Sequence, residues 1–194
     1  MAAAADCSTF VVAGYAQIEG SRVIDPLLIR FTEAGKVDEE FSAAANGSLR
    51  WLAKDNTPAT PTGVAIDRLG RYLVALNIQR GRRSTWALAR LNSDGEIDDT
   101  FGDSGLWSAP LDEAATSELT CSVTIDDAGR IVLGGYSEDE NRYRRLAVAR
   151  INDRGQLDPA FAPMAGDASC SSATERMSPI DSVRELPYLR TALP

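Results

Sequence analysis

A sixty-residue repeat is the feature that most constrains the fold of this chain. The phrase LAVARINDRGQLDPAF at 146–161 closely matches WALARLNSDGEIDDTF at 86–101. Four residue types keep the same register in three copies: Arg30, Arg90 and Arg150; Gly35, Gly95 and Gly155; Asp38, Asp98 and Asp158; Phe41, Phe101 and Phe161. A fixed period of this length indicates repeated structural units that bury their faces against one another.

Each unit has the pattern of antiparallel β-structure. In the third copy SVTID alternates between apolar and polar residues, DDAGR has turn composition, IVLGGY is a short apolar run and LAVARIN alternates again. The runs FVVAGY at 10–15 and YLVALN at 72–77 align with IVLGGY at 131–136. The sequence therefore predicts an all-β fold.

The strand LAVARI carries apolar atoms on both of its faces. Leu146 and Val148 point one way, whereas Ala147, Ala149 and Ile151 point the other way. Such a sheet has to be covered on both sides, and small alanines let a neighbouring sheet approach closely. We therefore predict a β-propeller-like arrangement of three four-stranded blades. A β-trefoil, which also has three β-rich units and closes as a monomer, is the alternative.

The repeat also divides the chain into segments. These are an N-terminal segment at 1–9, a three-repeat domain at 10–161 and a C-terminal tail at 162–194. The repeats are placed at about 10–61, 62–120 and 121–161, the last together with the strand that follows it.

The first repeat lacks a good counterpart of the strand SVTID, because AAAAD before it is a poor strand former. The segment SVREL at 182–186 is a candidate for the missing blade-closing strand. A bridge between Cys7 and Cys170 is then geometrically conceivable. The alternative is a loose tail, since the segment is rich in serine, proline and alanine.

The ordered motif resembles the bacterial delta-60 repeat family. Units of that family look like DGKILVAGY followed by ALARLNxDGSLDxxFG, and the matching text here is DAGRIVLGGY with LAVARINDRGQLDPAF. The resemblance covers about residues 10–161, with Leu76 and Asn77 in place of the glycine–tyrosine pair. It implies a propeller-like fold in a secreted or periplasmic bacterial protein, and it implies little about activity.

Charge and hydropathy exclude two classes of partner. The chain has 20 Lys and Arg against 28 Asp and Glu, a net charge of −8, so we expect no nucleic-acid partner. No window provides the roughly 18 apolar residues of a membrane helix, so we expect no membrane partner. A cytoplasmic location is the alternative to secretion, because three cysteines fit either one disulfide with a spare thiol or three reduced thiols.

The residue inventory argues against catalysis and against a metal or cofactor. The chain has no histidine, which removes the usual general base, the Cys/His nucleophile and the usual zinc ligands. The segment NSDGEIDD at 92–99 resembles a calcium loop, but the other copies place Ala34 or Arg154 at its central acid. We interpret it as a hairpin turn with a positive-φ glycine, closed by a structural Arg–Asp ion pair and anchored by phenylalanine.

An arginine cluster before the third strand of each unit is the candidate binding site. Its members are Arg22, Arg82, Arg83, Arg142, Arg144 and Arg145. Equivalent loops of a propeller gather on one rim, and arginine makes forked contacts with carboxylates and phosphates. The cluster predicts a non-catalytic binding or scaffold module for a protein or an acidic glycan. The alternatives are a solvated loop neutralised by Glu138, Asp139 and Glu140, a carbohydrate-active enzyme or lectin on the same frame, and a structural segment of a larger assembly.

Three blades leave two sheet faces open to water. Closed propellers have roughly four to eight blades, and the first and third repeats are no more polar than the middle one. Two chains that meet through their open faces would complete a ring of six blades. The sequence therefore predicts a homodimer.

Overall fold

The computed structural model describes residues 2–3, 9–17, 24–41, 58–111 and 115–161. The strands of this part are β1 (Ala2–Ala3), β2 (Thr9–Gln17), β3 (Ile24–Thr32), β4 (Ala59–Ile66), β5 (Tyr72–Arg80), β6 (Arg83–Leu91), β7 (Leu106–Ala109), β8 (Ser117–Ile125), β9 (Ile131–Glu138) and β10 (Arg144–Ile151). A short 3₁₀ helix at Pro159–Phe161 follows β10.

The strands form antiparallel meanders that follow the order of the chain. The first sheet has the order β1-β2-β3, the middle sheet β4-β5-β6-β7 and the third sheet β8-β9-β10. The middle sheet has the four strands predicted for a blade. The segments that follow β3 and β10, where a fourth strand would belong, lie outside the described residues.

The register of the sheets repeats from unit to unit. In each sheet the repeat arginine pairs with the equivalent residue of the preceding strand. The pairs are Arg30 with Val11, Arg90 with Leu73 and Arg150 with Val132. The first strands of the middle and third sheets are both irregular at one place, between Pro61 and Gly63 and between Thr120 and Ser122. Residues that align in the apolar runs of the sequence therefore occupy equivalent positions in the three sheets.

The first strand of the first sheet comes from the alanine-rich start of the chain. Ala2 pairs with Val11 and Ala3 with Phe10. The expectation that this stretch leaves the position empty is corrected for these two residues, because ladder hydrogen bonds use the backbone and β-propensity mainly reflects side-chain packing. The candidate strand at 182–186 and both cysteines of the conceivable disulfide lie outside the described residues.

Two hydrophobic cores lie between successive sheets. The first contains Val11 and Leu28 from the first sheet with Val74, Leu76 and Ala89 from the middle sheet. The second contains Leu73, Trp86 and Leu88 from the middle sheet with Leu133 and Ala149 from the third. The middle sheet is thus covered on both faces, and every residue of β6 from Ser84 to Leu91 is buried. This stacking is what the apolar pattern on both strand faces predicts.

Small residues set the close spacing of the middle and third sheets. A Cβ atom added at Gly135 would collide with the carbonyl oxygen of Leu119 and lie 2.6 Å from Cζ2 of Trp86. The repeated alanines are also at most 2% exposed: Ala147 and Ala149 lie in this second core, whereas Ala87 and Ala89 lie in the first core and face the first sheet. A larger side chain at these positions would push the sheets apart.

Candidate functional site

The repeated arginine, aspartate and phenylalanine form one structural unit in every copy. The Nε–Oδ2 distances are 2.8 Å for Arg30–Asp38, 2.7 Å for Arg90–Asp98 and 2.7 Å for Arg150–Asp158. The guanidinium carbons lie 4.6, 4.5 and 4.6 Å from the ring centroids of Phe41, Phe101 and Phe161. The turn glycines have the expected positive φ, at 74° for Gly35, 88° for Gly95 and 73° for Gly155. Each unit closes a hairpin and anchors it to the sheet.

The middle ion pair is the most buried of the three. The side chains of Arg90 and Asp98 are 4% and 9% exposed. Burial disfavours the charged form of Asp98, but hydrogen bonds from Thr100 and Arg90 outweigh it and hold the pKa of Asp98 below its usual value. A carboxylate that stays ionised this firmly is a poor general acid or base near neutral pH.

Two of these arginines, Arg30 and Arg90, also bind their sheet to the next. Arg30 Nη1 donates a hydrogen bond to the carbonyl oxygen of Ser93 at 2.9 Å, and Arg90 Nη1 donates to the carbonyl oxygen of Asp153 at 2.6 Å. The carboxylate of Asp153 accepts two further bonds, from Arg90 at 3.0 Å and from Arg71 at 2.9 Å. The bond from Arg71 is the main cause that lowers the pKa of Asp153. Arg30 and Arg90 are therefore structural links between neighbouring sheets.

Two arginines of the predicted rim are neutralised by acids of their own hairpin. Arg144 pairs with Glu138 at 2.9 Å and lies 4.6 Å from the ring centroid of Tyr136. Arg145 pairs with Asp139 at 2.9 Å. These contacts match the alternative interpretation of the cluster as a charge-balanced loop, so both side chains are weak candidates for ligand binding.

The other predicted rim residues occupy different environments. Arg82 and Arg142 are exposed on the β5–β6 and β9–β10 hairpins, and within the described residues neither side chain makes an ion pair or a hydrogen bond. Arg83 is half-buried at the start of β6. Arg22 lies outside the described residues. Equivalent hairpins of stacked repeats lie at one end of the sheets, so Arg82 and Arg142 are exposed at the same end, where the paired Arg144 is exposed as well.

The β9–β10 hairpin is ordered by one aspartate. Asp139 Oδ1 accepts hydrogen bonds from the backbone N–H groups of Asn141 at 2.9 Å and Tyr143 at 3.1 Å. Arg142 adopts a φ of 64° at its tip, and its own N–H donates to the carbonyl oxygen of Asp139 at 3.0 Å. Tyr143 is 68% exposed beside it. The loop therefore presents a guanidinium and a flat ring to solvent on a fixed backbone.

A pocket also lies beside β3. Its lining includes the ion pair Arg30–Asp38 and the ring of Phe41. In the middle sheet β7 lies along the equivalent edge of β6, and the backbone N–H of Arg90 donates to Gly105. The pocket therefore corresponds to an edge that the next strand covers in the middle repeat.

Neither a metal site nor a membrane-spanning helix occurs in the part of the chain that the structure describes. No group of three or more histidine, cysteine, aspartate or glutamate side chains there is placed to hold a metal ion. No helix there is long and apolar enough to cross a membrane.

Comparison with known families finds a match in two stretches of the chain. Residues 79–101 and 129–161 match the family described as "Domain of unknown function (DUF5122) beta-propeller". Parts of the second and third repeats are therefore similar to a beta-propeller family. The matched stretches contain the β6 and β10 strands with their following hairpins, and the resemblance to delta-60 repeats is confirmed.

Comparison with solved structures gives the same fold class. The Hadza microbial sialidase Hz136 is similar with a TM-score of 0.53 and 13% sequence identity, over 80% of this chain and 35% of the sialidase chain. This chain thus spans about a third of the sialidase, and at this identity the likeness concerns the fold alone. No curated protein sequence matches the chain. The propeller-type prediction is supported over the trefoil alternative.

Proposed function

We propose that this protein is a non-catalytic binding module that captures an acidic protein or an acidic glycan at the exposed rim of its stacked sheets. The observation that supports this most directly is the state of Arg82 and Arg142. Both are exposed at equivalent hairpins of adjacent sheets, and neither has an ion-pair partner among the described residues. Their charge is available to a ligand without first breaking an internal contact.

The rest of the protein makes such a site selective. The chain has a net charge of −8, so an anionic ligand is repelled elsewhere and attracted only where positive charge is concentrated. Arg142 offers a forked pair of donors to a carboxylate, and the neighbouring ring of Tyr143 offers a flat surface to a sugar or an aliphatic chain. The fixed backbone of this hairpin reduces the entropy that is lost on binding.

Charge reversal tests the proposal. The double variant Arg82→Glu with Arg142→Glu is compared with Arg154→Glu, an exposed arginine on the hairpin after β10. The probes are polyglutamate and a panel of sialylated and uronic-acid glycans, measured by biolayer interferometry at low and high salt. We expect the double variant to bind at least about tenfold more weakly, a loss of about 1.4 kcal/mol, and the control to bind like the wild type.

Two results would contradict this function. One is unchanged binding of the double variant, and the other is a wild-type protein that binds none of the anionic probes. A panel of chromogenic sialosides and uronides is assayed in parallel, because turnover would favour the carbohydrate-active alternative over a binding module.

A further inference from the structure

Within the described residues, no sheet covers the outer face of the third sheet, which carries apolar side chains. Its residues at Val132, Leu146 and Val148 are the repeat equivalents of Leu73, Trp86 and Leu88 in the middle sheet, by the pairing register of the strands. Those three equivalents are at most 1% exposed, because the third sheet covers them. Leu146, by contrast, is 67% exposed. This face thus has the composition of a sheet interface, and no further sheet lies against it among the described residues.

The outer face of the first sheet is the natural complement. This face carries the apolar side chains Phe10, Val12, Ile29 and Phe31. Their equivalents in the middle sheet are Tyr72, Val74, Ala89 and Leu91, and these four are covered by the first sheet. Phe10 and Phe31 stack with their ring centroids 6.1 Å apart, and Val12 is 36% exposed. In the described part of the chain, the outer faces of the first and third sheets are therefore the two halves of one repeated interface.

The arginine that links one repeat to the next has no such bond at the third sheet among the described residues. Arg30 and Arg90 each donate to a backbone carbonyl in the following repeat, at Ser93 and Asp153. Arg150 makes its ion pair with Asp158, but within the described residues its terminal nitrogens have no partner.

A second arginine is left in the same state. Arg130 is the equivalent of Arg71, which reaches the Asp153 carboxylate. The Arg130 side chain is 45% exposed, and in the described part of the chain it forms a hydrogen bond and an ion pair with Asp126 through Nε. It also interacts electrostatically with Asp158. The third sheet therefore directs the donors of Arg130 and Arg150 toward the place where a following hairpin would lie.

Glu33 is the residue of the first repeat at the position of Ser93 and Asp153. It is exposed, and neither its carbonyl oxygen nor its carboxylate has a hydrogen-bond partner among the described residues. We propose that the third sheet docks the first sheet of a second copy of this chain, with Glu33 of the partner copy accepting hydrogen bonds from Arg130 and Arg150. Glu33 then takes the role that Asp153 has between the middle and third sheets.

The same contact made in both directions closes a ring. The interface joins two different faces, so two copies form two identical seams about a two-fold axis. The three described sheets of each copy then give six in the ring. That number lies within the roughly four to eight blades of closed propellers. The proposed dimer contact does not involve the arginine rim. Arg82 and Arg142 lie at the end of the sheets opposite to Arg130, Arg150 and Glu33.

Two exposed positions, one on each face, allow a test that does not disturb the core. Glu33→Arg places like charges across the seam, and Leu146→Arg places a charge in its apolar part. We expect each variant to weaken the dimer at least about tenfold, measured as the dissociation constant by light scattering after gel filtration. Arg154→Glu, which reverses an exposed arginine away from the seam, is expected to remain dimeric, and far-UV circular dichroism checks that all variants fold.

Mixing the two variants tests the direction of the contact. In a mixed pair one seam carries both substitutions and the other carries neither, so we expect an equimolar mixture to regain dimer that each variant alone loses. A monomeric wild type would overturn the proposal. Open-ended oligomers, a dimer insensitive to Glu33→Arg, or a mixture that stays monomeric would overturn it as well.

Discussion

The three repeats contain the same Arg–Asp ion pair at different degrees of burial. The loss of folding free energy on removing the aspartate can therefore be predicted for each repeat. Asp98→Ala leaves behind an Arg90 side chain that is 4% exposed, whereas Asp38→Ala and Asp158→Ala leave arginines that are 20% and 15% exposed. Each aspartate also accepts one backbone N–H bond in its turn, from Glu40, Thr100 or Ala160. That contribution is common to all three variants. Asp98 also accepts a hydrogen bond from Thr100 Oγ1 at 2.5 Å and lies 3.9 Å from Arg71 Nη1, so the difference between the variants reports burial together with these two contacts.

Removing one partner of a buried ion pair costs about 3–5 kcal/mol, because an uncompensated charge remains in the interior. Arg90 keeps its bonds to Asp153, so we expect Asp98→Ala to lose about 3 kcal/mol. For the two more exposed pairs the ion pair contributes about 1 kcal/mol and the turn bond about as much again, so we expect losses of about 1–2 kcal/mol. The free energy of unfolding of a typical domain is about 5–15 kcal/mol. A difference of about 1–2 kcal/mol between the variants is therefore measurable.

The assay is urea unfolding at a fixed protein concentration, followed by tryptophan fluorescence. Trp86 and Trp107 lie in the second core at 0% and 8% exposure, so their emission reports the packing of the middle and third sheets. Equal losses in the three alanine variants, or the smallest loss for Asp98→Ala, would refute the reasoning from burial.

Two further predictions concern stability. Acid should weaken the fold, because the folded-state pKa values of Asp98 and Asp153 lie below their unfolded values. The stability that they contribute is present above the unfolded pKa of about 3.9 and is lost as the pH falls through the lower folded values. A urea midpoint that does not fall between about pH 5 and pH 2 would contradict this. Gly135→Ala should cost about 1–3 kcal/mol and lower the melting temperature, because its Cβ collides with Leu119. Gly63→Ala, whose nearest neighbour would be 3.5 Å away, is the control, and equal effects of the two would count against the packing argument.

Much of the fold could be predicted because the same side chains recur at the same spacing. An arginine and an aspartate that flank a four-residue hairpin loop on antiparallel strands must be cross-strand neighbours, so the pair Arg90–Asp98 followed from the sequence. Apolar atoms on both faces of a strand likewise require two neighbouring sheets, and the middle sheet has them.

The bonds between repeats could not be predicted in this way. The acceptors at Ser93 and Asp153 are backbone carbonyls, which every residue has, so no residue type recurs at that position. The one usable signal was Arg71, which repeats as Arg130.

The candidate rim was predicted as a cluster, but its members differ in structure. The hairpin between Asp139 and Tyr143 places Arg144 beside Glu138 and Arg145 beside Asp139. That pairing depends on the loop conformation, in which Arg142 has a positive φ, and composition alone does not reveal it. The exposed arginines therefore had to be found from the loop geometry.

The mass of the wild-type chain in solution tests most directly whether the exposed sheet faces are halves of one interface. Sedimentation equilibrium at micromolar concentration should give twice the chain mass of 20.8 kDa. A single species at 20.8 kDa would contradict the account, because both apolar end faces would then be satisfied without a second copy.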